Sequence, residues 1–420
     1  MQDGSREIWA CEAVGYGKMT LFQIALLLGT DVVIPEITFF NPMPMETMQI
    51  IDILIDRHGL QVLKFSYCDF AEQVVHHIAQ SGRKEYTALR VLDVRSTKYM
   101  NKMRWMSGFF ATFSGLTELT ITTAFLDYLN AHEIATLLIA RPDAVLVKLN
   151  LWGNMNMNNR GIASLCSALK DNTTVTDLNL GNCVHSAFSA GAVAEMLQVN
   201  RTLRVLGLER MFDNADPVPF IKNEMLQELN LGMNHFTGSQ LELAYAALAT
   251  NTSLTKLNLA REPRLAAAHV STIKPDVLAL NSTLTDLDLS HWDVGMQSFA
   301  NIVSDLTTNA SLTRMVMLNE NLNSRAVPVS ELTPLVSVNR TLRQFNCGKI
   351  DTTVATDLFA VALFNNPVIL SIGEQATHFQ CLSWALMRNR NNLDKKSATL
   401  LEVMLRREVV LVTLKRHRIK

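Results

Sequence analysis

The stretch GYGKMT at residues 15–20 carries two glycines and a lysine, residue types that wrap a phosphate group. A phosphate loop needs a further glycine at position 12 and a hydroxyl after the lysine to hold Mg2+, but Glu12 and Met19 stand there. HEIAT at 132–136 begins like a zinc-protease helix, yet Thr136 occupies the place of the second histidine. His76 and His77 are adjacent, which on a helix points them about 100° apart and prevents chelation of one ion. The cysteines Cys11, Cys68, Cys166, Cys183, Cys347 and Cys381 form no C-x-x-C pair and no disulfide-scaffold spacing. They read as small buried hydrophobes in a reducing compartment. With no catalytic constellation, cofactor loop or metal-ligand set, the expectation is a non-enzymatic protein that needs no cofactor.

A further pattern imitates a modification signal. Asn172, Asn200, Asn251, Asn281, Asn309 and Asn339 each open an N-x-S/T sequon. All of them begin one recurring phrase, such as NTTVTDLNLG at 172, NTSLTKLNLA at 251 and NSTLTDLDLS at 281. Repetition explains the regularity better than sugar attachment does. At such a place Asn is expected to end a helix in the left-handed conformation, with the hydroxyl of the sequon bonded within the turn.

The phrase locates the elements that position everything else. Its first apolar residue recurs as Ile34, Leu60, Leu89, Leu116, Leu146, Val175, Leu203, Leu226, Leu254, Leu284, Leu312, Leu342 and Ile369. These anchors define about 13 repeats of about 28 residues. After each anchor the sequence alternates apolar and polar, as in LTKLNLA, which predicts a short strand with one face in a core. Stretches such as GIASLCSALKDN at 161–172 then place apolar residues at helical spacing. Strands stack about 4.8 Å apart and helices are about 10 Å wide, so parallel strands must line the inside of a curved solenoid and helices the outside. The interval of 23 residues before Leu226 holds the Pro-containing ERMFDNADPVPFIKNE and predicts an irregular unit.

Composition agrees with a large core and limits the partners. The chain has 420 residues, 48% of them hydrophobic and 18% charged, with a formal charge of -1, so no global field favours nucleic acid or an anionic membrane. The apolar run at 21–29 is too short to span a bilayer. Without a clear cleavage site it reads as part of a helical cap over residues 1–33 rather than as a secretory signal. The repeats extend over 34–390, and 391–420 form a basic, helical tail.

The N-x-x-L-x-x-L-x-L phrase at this period resembles leucine-rich repeats of the ribonuclease-inhibitor type, and NNPVILSIGEQATHFQCLSWALMRNR resembles the final repeat of tropomodulin-like members. The resemblance implies an α/β horseshoe with an inner parallel sheet and a cytoplasmic location. It also implies a buried Asn or Cys eight residues after each anchor. Cys68, Asn154, Cys183 and Asn234 match; Glu262, Trp292 and Glu320 do not, so the loops there must be satisfied in another way.

Function then falls to side chains on the concave strand face. Two residues after the anchor, from Leu116 to Leu312, the series reads Glu118, Lys148, Asp177 and, after Val205, Glu228, Lys256, Asp286, Arg314. Such a row neutralises itself between neighbouring strands. Binding is therefore expected beside it, at Trp152 as an exposed aromatic, at the charges Lys64, Asp93 and Arg95, and at an exposed apolar pair, Val316 and Leu318. The leading expectation is a recognition module that binds a protein through this face. The alternatives are a subunit of a large assembly attached by the basic tail, and an enzyme regulator like the GTPase-activating proteins of the family, whose tails are acidic where this one is basic.

Overall fold

A computed structural model describes residues 36–40, 59–67, 88–96, 114–140, 145–184, 186–263, 269–270, 272–318, 327–348 and 350–351, with isolated positions between 48 and 77 and between 359 and 372. The expected cap at 1–33, the tail at 391–420, the tropomodulin-like ending and Cys11, Cys68 and Cys381 lie outside the described residues or almost wholly so. The chain divides into two compact units, residues 1–215 and 216–420.

In the first unit seven strands follow one another in parallel: β1 (Glu36–Phe40), β2 (Val62–Ser66), β3 (Val91–Arg95), β4 (Glu118–Thr122), β5 (Lys148–Asn150), β6 (Asp177–Asn179) and β7 (Val205–Gly207). Helices α1 (Tyr128–Ala140), α2 (Asn158–Lys170) and α3 (Ala187–Val199) alternate with the later strands. The second unit starts with α4 (Val218–Ile221), a single turn after Pro217, which is the irregular unit expected from the short interval. Its ladder runs through β8 (Glu228–Asn230), β9 (Lys256–Asn258), β11 (Asp286–Asp288), β13 (Arg314–Val316), β15 (Gln344–Asn346) and β17 (Ser371–Ile372), again all parallel. Two small sheets pair β10 (His269–Val270) with β12 (Asp293–Val294) and β14 (Val327–Pro328) with β16 (Ile350–Asp351). Helices α5 (Gly238–Ala247), α6 (Val277–Leu280), α7 (Met296–Thr308) and α8 (Val329–Val338) complete the described repeats.

The register of the repeats is the one the anchors set. Every described anchor, from Leu60 to Ile369, is buried, with no more than 4% of its surface exposed. So are the strand residues three and five places later, as with Leu149 and Leu151 or Leu257 and Leu259. Burying a leucine side chain contributes about 1.5–3 kcal/mol, so the stacked rows supply the main cohesion between repeats.

Two polar devices join one repeat to the next. The first is the sequon asparagine, which is extended rather than left-handed: Asn200, Asn281, Asn309 and Asn339 have φ between -64° and -80°. The expected helix-ending conformation is corrected because the side chain, not the backbone, is what the site requires. Asn281 Oδ1 accepts the N–H groups of Thr283 and Leu284, while its Nδ2 donates to the carbonyls of Leu248 and Asn251 in the preceding repeat at 2.8 and 3.0 Å. Asn309 and Asn339 repeat this pattern, and Asn366 extends it. Asn200, Asn251, Asn281, Asn309 and Asn339 are thereby buried with their amides engaged, which leaves no room for a glycan.

The left-handed residue instead falls seven places after the anchor. Tyr67, Ser96, Thr123, Gly153, Asn182, Arg210, Met233 and His291 all have φ between 50° and 80°. The chain turns out of its strand here, and the N–H of this residue still donates to the next rung, as from Tyr67 to the Arg95 carbonyl at 3.0 Å.

Candidate functional site

The strand face opposite the buried leucines is built from two rows. Four residues after the anchor stand Asn150 and Asn179 in the first unit, and Asn230, Asn258, Asp288 and Asn346 in the second. Each accepts the backbone N–H two residues on, at 2.9–3.3 Å, and so closes the strand end. Two residues after the anchor lies the charged row. Lys148 pairs with Glu118 at 3.9 Å, Lys256 with Glu228 at 2.6 Å and Arg314 with Asp286 at 2.7 Å, as the alternation predicts. The Glu228 carboxylate raises the Lys256 ammonium above its usual range through the hydrogen bond first and its charge second. These pairs are largely exposed, and each contributes little to stability.

The structure redistributes the residues proposed for binding. Lys64 is not an unpaired cation: it meets Glu36 at 2.5 Å. Arg95 grips Asp93 with two nitrogens, Nε at 2.8 Å and Nη2 at 2.7 Å, and this bond raises the guanidinium above its usual range. Asp93 is buried beneath it. Both charges are therefore compensated by their neighbour two residues away, a pairing that alternation along the strand permits because both side chains face the same way. The exposed apolar pair is also corrected. Val316 is only 5% exposed, set between Asp288 and Asn346, its longer partners in register, and Leu318 is half-buried.

Trp152 is half-buried rather than fully exposed. The reason lies in the next rung: a Cβ on Gly181 would come within 2.8 Å of Trp152 Cδ1. The ring can lie against the sheet only because that neighbour has no side chain. Gly207, one rung further, is equally constrained, since a Cβ there would meet the Asn179 amide at 2.7 Å. Trp152 thus borders a low stretch of the face made by Gly181 and Gly207, with Asn179 leaning across it.

Behind the face, the residue eight after the anchor holds the loop. Asn154 is fully buried; its Oδ1 accepts the N–H groups of Ala124 and Leu126, and its Nδ2 donates to Ile121 and Leu151. Cys183 does part of this work, its thiol donating to the Leu151 carbonyl at 3.0 Å. Trp292, which breaks the expected Asn or Cys pattern, does it with an indole: Nε1 donates to the Leu259 carbonyl at 2.8 Å while Arg261 lies 5.6 Å from the ring centroid. Sequence reasoning marked this position as a mismatch; the indole N–H was the signal that it is a replacement. Glu320 lies outside the described residues.

The described cysteines are poor nucleophiles. Burial pushes the thiols of Cys166, Cys183 and Cys347 up to about 12, so they remain protonated and pack as apolar groups. In the second unit Asp305 is a buried carboxylate whose oxygens accept the N–H groups of Asp276 and Leu278 at 2.7 and 3.0 Å, at the start of α6. Burial raises its pKa against the opposing pull of these bonds. It is a structural cap, and it does not face the strand surface. Among the described residues no group of three or more His, Cys, Asp and Glu is placed to hold a metal ion. No described helix is long and apolar enough to cross a membrane.

Strand, loop, helix and turn recur in this order, pinned by buried asparagines and leucines. The fold is that of leucine-rich repeats. The chain is similar to the leucine-rich repeat-containing protein LegL7 of Legionella pneumophila, at 18% identity over 72% of this chain and 98% of that one, with a TM-score of 0.40. No family model matches. In sequence it is similar to leiomodin-2 of Homo sapiens, 31% identical over 145 residues, which are 32% of this chain and 26% of that protein. The chain thus spans about a quarter of the length of this curated relative. A solved segment of leiomodin-1 named actin-binding site 2 is similar over 42% of this chain and 88% of its own length, at 20% identity and a TM-score of 0.26.

Proposed function

We propose that this leucine-rich-repeat chain is a non-enzymatic module that binds another protein through the exposed face of its strands, with Trp152 as the anchor. One observation carries the reading: a tryptophan ring lies at the strand surface beside two glycines, where a partner side chain can cover it. Aromatic rings dominate binding energy when they are desolvated by a partner, and a preformed surface loses little entropy on binding. The local similarity to leiomodin-2 makes actin the first partner to assay, and crosslinking in native lysate supplies others for purification and direct measurement. Trp152→Ala is expected to weaken the purified partner about 30-fold, the equivalent of about 2 kcal/mol, with only a small fall in melting temperature from the lost contact with the sheet. A variant that binds each such partner like the parent removes Trp152 from the interface and sinks the reading.

A further inference from the structure

The charged row of the first unit is incomplete. In the second unit the order Glu228, Lys256, Asp286, Arg314 ends on an arginine, whose Nη1 donates to Asp286 at 2.7 Å. The first unit repeats the order as Glu118, Lys148, Asp177 and then places Val205 in register with Asp177, where the arginine would stand. Lys148 does not make up the deficit, because its ion pair is with Glu118. Asp177 receives the hydroxyl of its neighbour Thr176 at 2.6 Å and has no cation within ion-pair distance among the described residues. Along the same strand as Val205 the next outward residue is Gly207, over which the Asn179 amide leans, so β7 itself raises no long side chain beside Asp177.

We propose that this vacancy receives a cationic side chain of the partner, an arginine on an extended segment. Its guanidinium pairs with Asp177 over Val205 and its backbone runs along β7 toward Trp152. This rests on the reading of the strand face as the binding surface and adds the chemistry of what binds there. The geometry has an internal template, since the Asp286–Arg314 pair shows that this position of the repeat accommodates a guanidinium against a carboxylate on the preceding rung. Arginine suits the place better than lysine because its planar fork can engage both carboxylate oxygens.

The test supplies the missing arginine from the chain itself. The probe is a terminally blocked Gly-Arg-Gly-Arg-Gly peptide, with Gly-Glu-Gly-Glu-Gly as control, titrated at low salt and followed by amide and indole NMR shifts. The arginine peptide is expected to bind about tenfold more tightly than the glutamate peptide, and the preference is expected to shrink in high salt. Val205→Arg and Asp177→Asn are each expected to weaken the arginine peptide about tenfold with no loss of melting temperature. Equal binding by the parent and both variants overturns the proposal. If the purified partner is weakened by Trp152→Ala yet bound equally by these two variants, the strand face remains the surface and the cationic contact is wrong. If none of the three variants affects the partner, the strand-face reading falls as well.

Discussion

The two units apply the same rules to their interiors and different ones to their outward rows. Leu149 and Leu178 in the first are as buried as Leu257 and Leu287 in the second. From Glu118 and from Glu228 the outward rows run alike for three places and part at the fourth, Val205 against Arg314, while Val62 and Val91 hold the same place on the rungs before Glu118. Core positions are held by packing, where a lost methylene or an added charge costs kilocalories. Outward positions are held by exposed ion pairs worth about 0–1 kcal/mol, which leaves them open to selection for something other than stability. A carboxylate at which the charge order breaks is therefore more informative than the pairs that keep it.

The comparison breaks most easily at the core. Leu178→Asp and Leu257→Asp, one in each unit, are each expected to lose about 3–5 kcal/mol of stability, because both leave a carboxylate in an apolar site. Chemical denaturation should show losses of similar size; a near-silent substitution in either unit would mean that the anchor register is wrong there.

The asparagine ladder sharpens it at intermediate size. Asn281 is buried and bonds the carbonyls of two residues in the preceding repeat, whereas the side chain of Asn172 is half-buried and, among the described residues, bonds within its own turn, to Thr174 and Val175. Asn281→Ala strands two buried carbonyls and two N–H groups and is expected to cost about 2–3 kcal/mol, and Asn172→Ala about 1 kcal/mol. Melting curves with equal shifts for the two would show that the reach into the preceding repeat contributes nothing.

The smallest effect concerns the rows themselves. Arg314→Val turns the second unit's row into a copy of the first and is expected to cost about 0.5–1 kcal/mol, with the difference fading in high salt. A larger, salt-insensitive loss would mean that Arg314 matters for packing rather than for its charge, and the comparison with Val205 would lose its basis.

Much of the fold was legible because its determinants lie close together in the chain. The Leu-x-x-Leu-x-Leu spacing sets which residues of a strand are buried, and Pro217 with the short interval before Leu226 announces the single-turn helix α4. The candidate site was less legible. Asp93 and Arg95 looked like free charges, although their spacing of two placed both on one face and allowed the pairing that the structure shows. The place of the sequon asparagines in the repeat is plain from their spacing, but the turn preferences of isolated Asn point to the wrong backbone conformation. The real requirement is a buried amide with partners in two repeats.

The sequence by itself determined the period, the alternation of strand and helix, the buried rows and the order of charges, since all of these follow from side-chain type and from periodicities of two and 3.6 residues. Tertiary structure alone decided which neighbours met. Trp152 lies down because Gly181 stands one rung away, Val316 is buried in register between Asp288 and Asn346, and Trp292 reaches the Leu259 carbonyl 33 residues earlier. Asp177 is left without a cation among the described residues for the same reason: parallel stacking puts it in register with Val205, and an ion pair forms only where the third dimension brings opposite charges within a few ångströms.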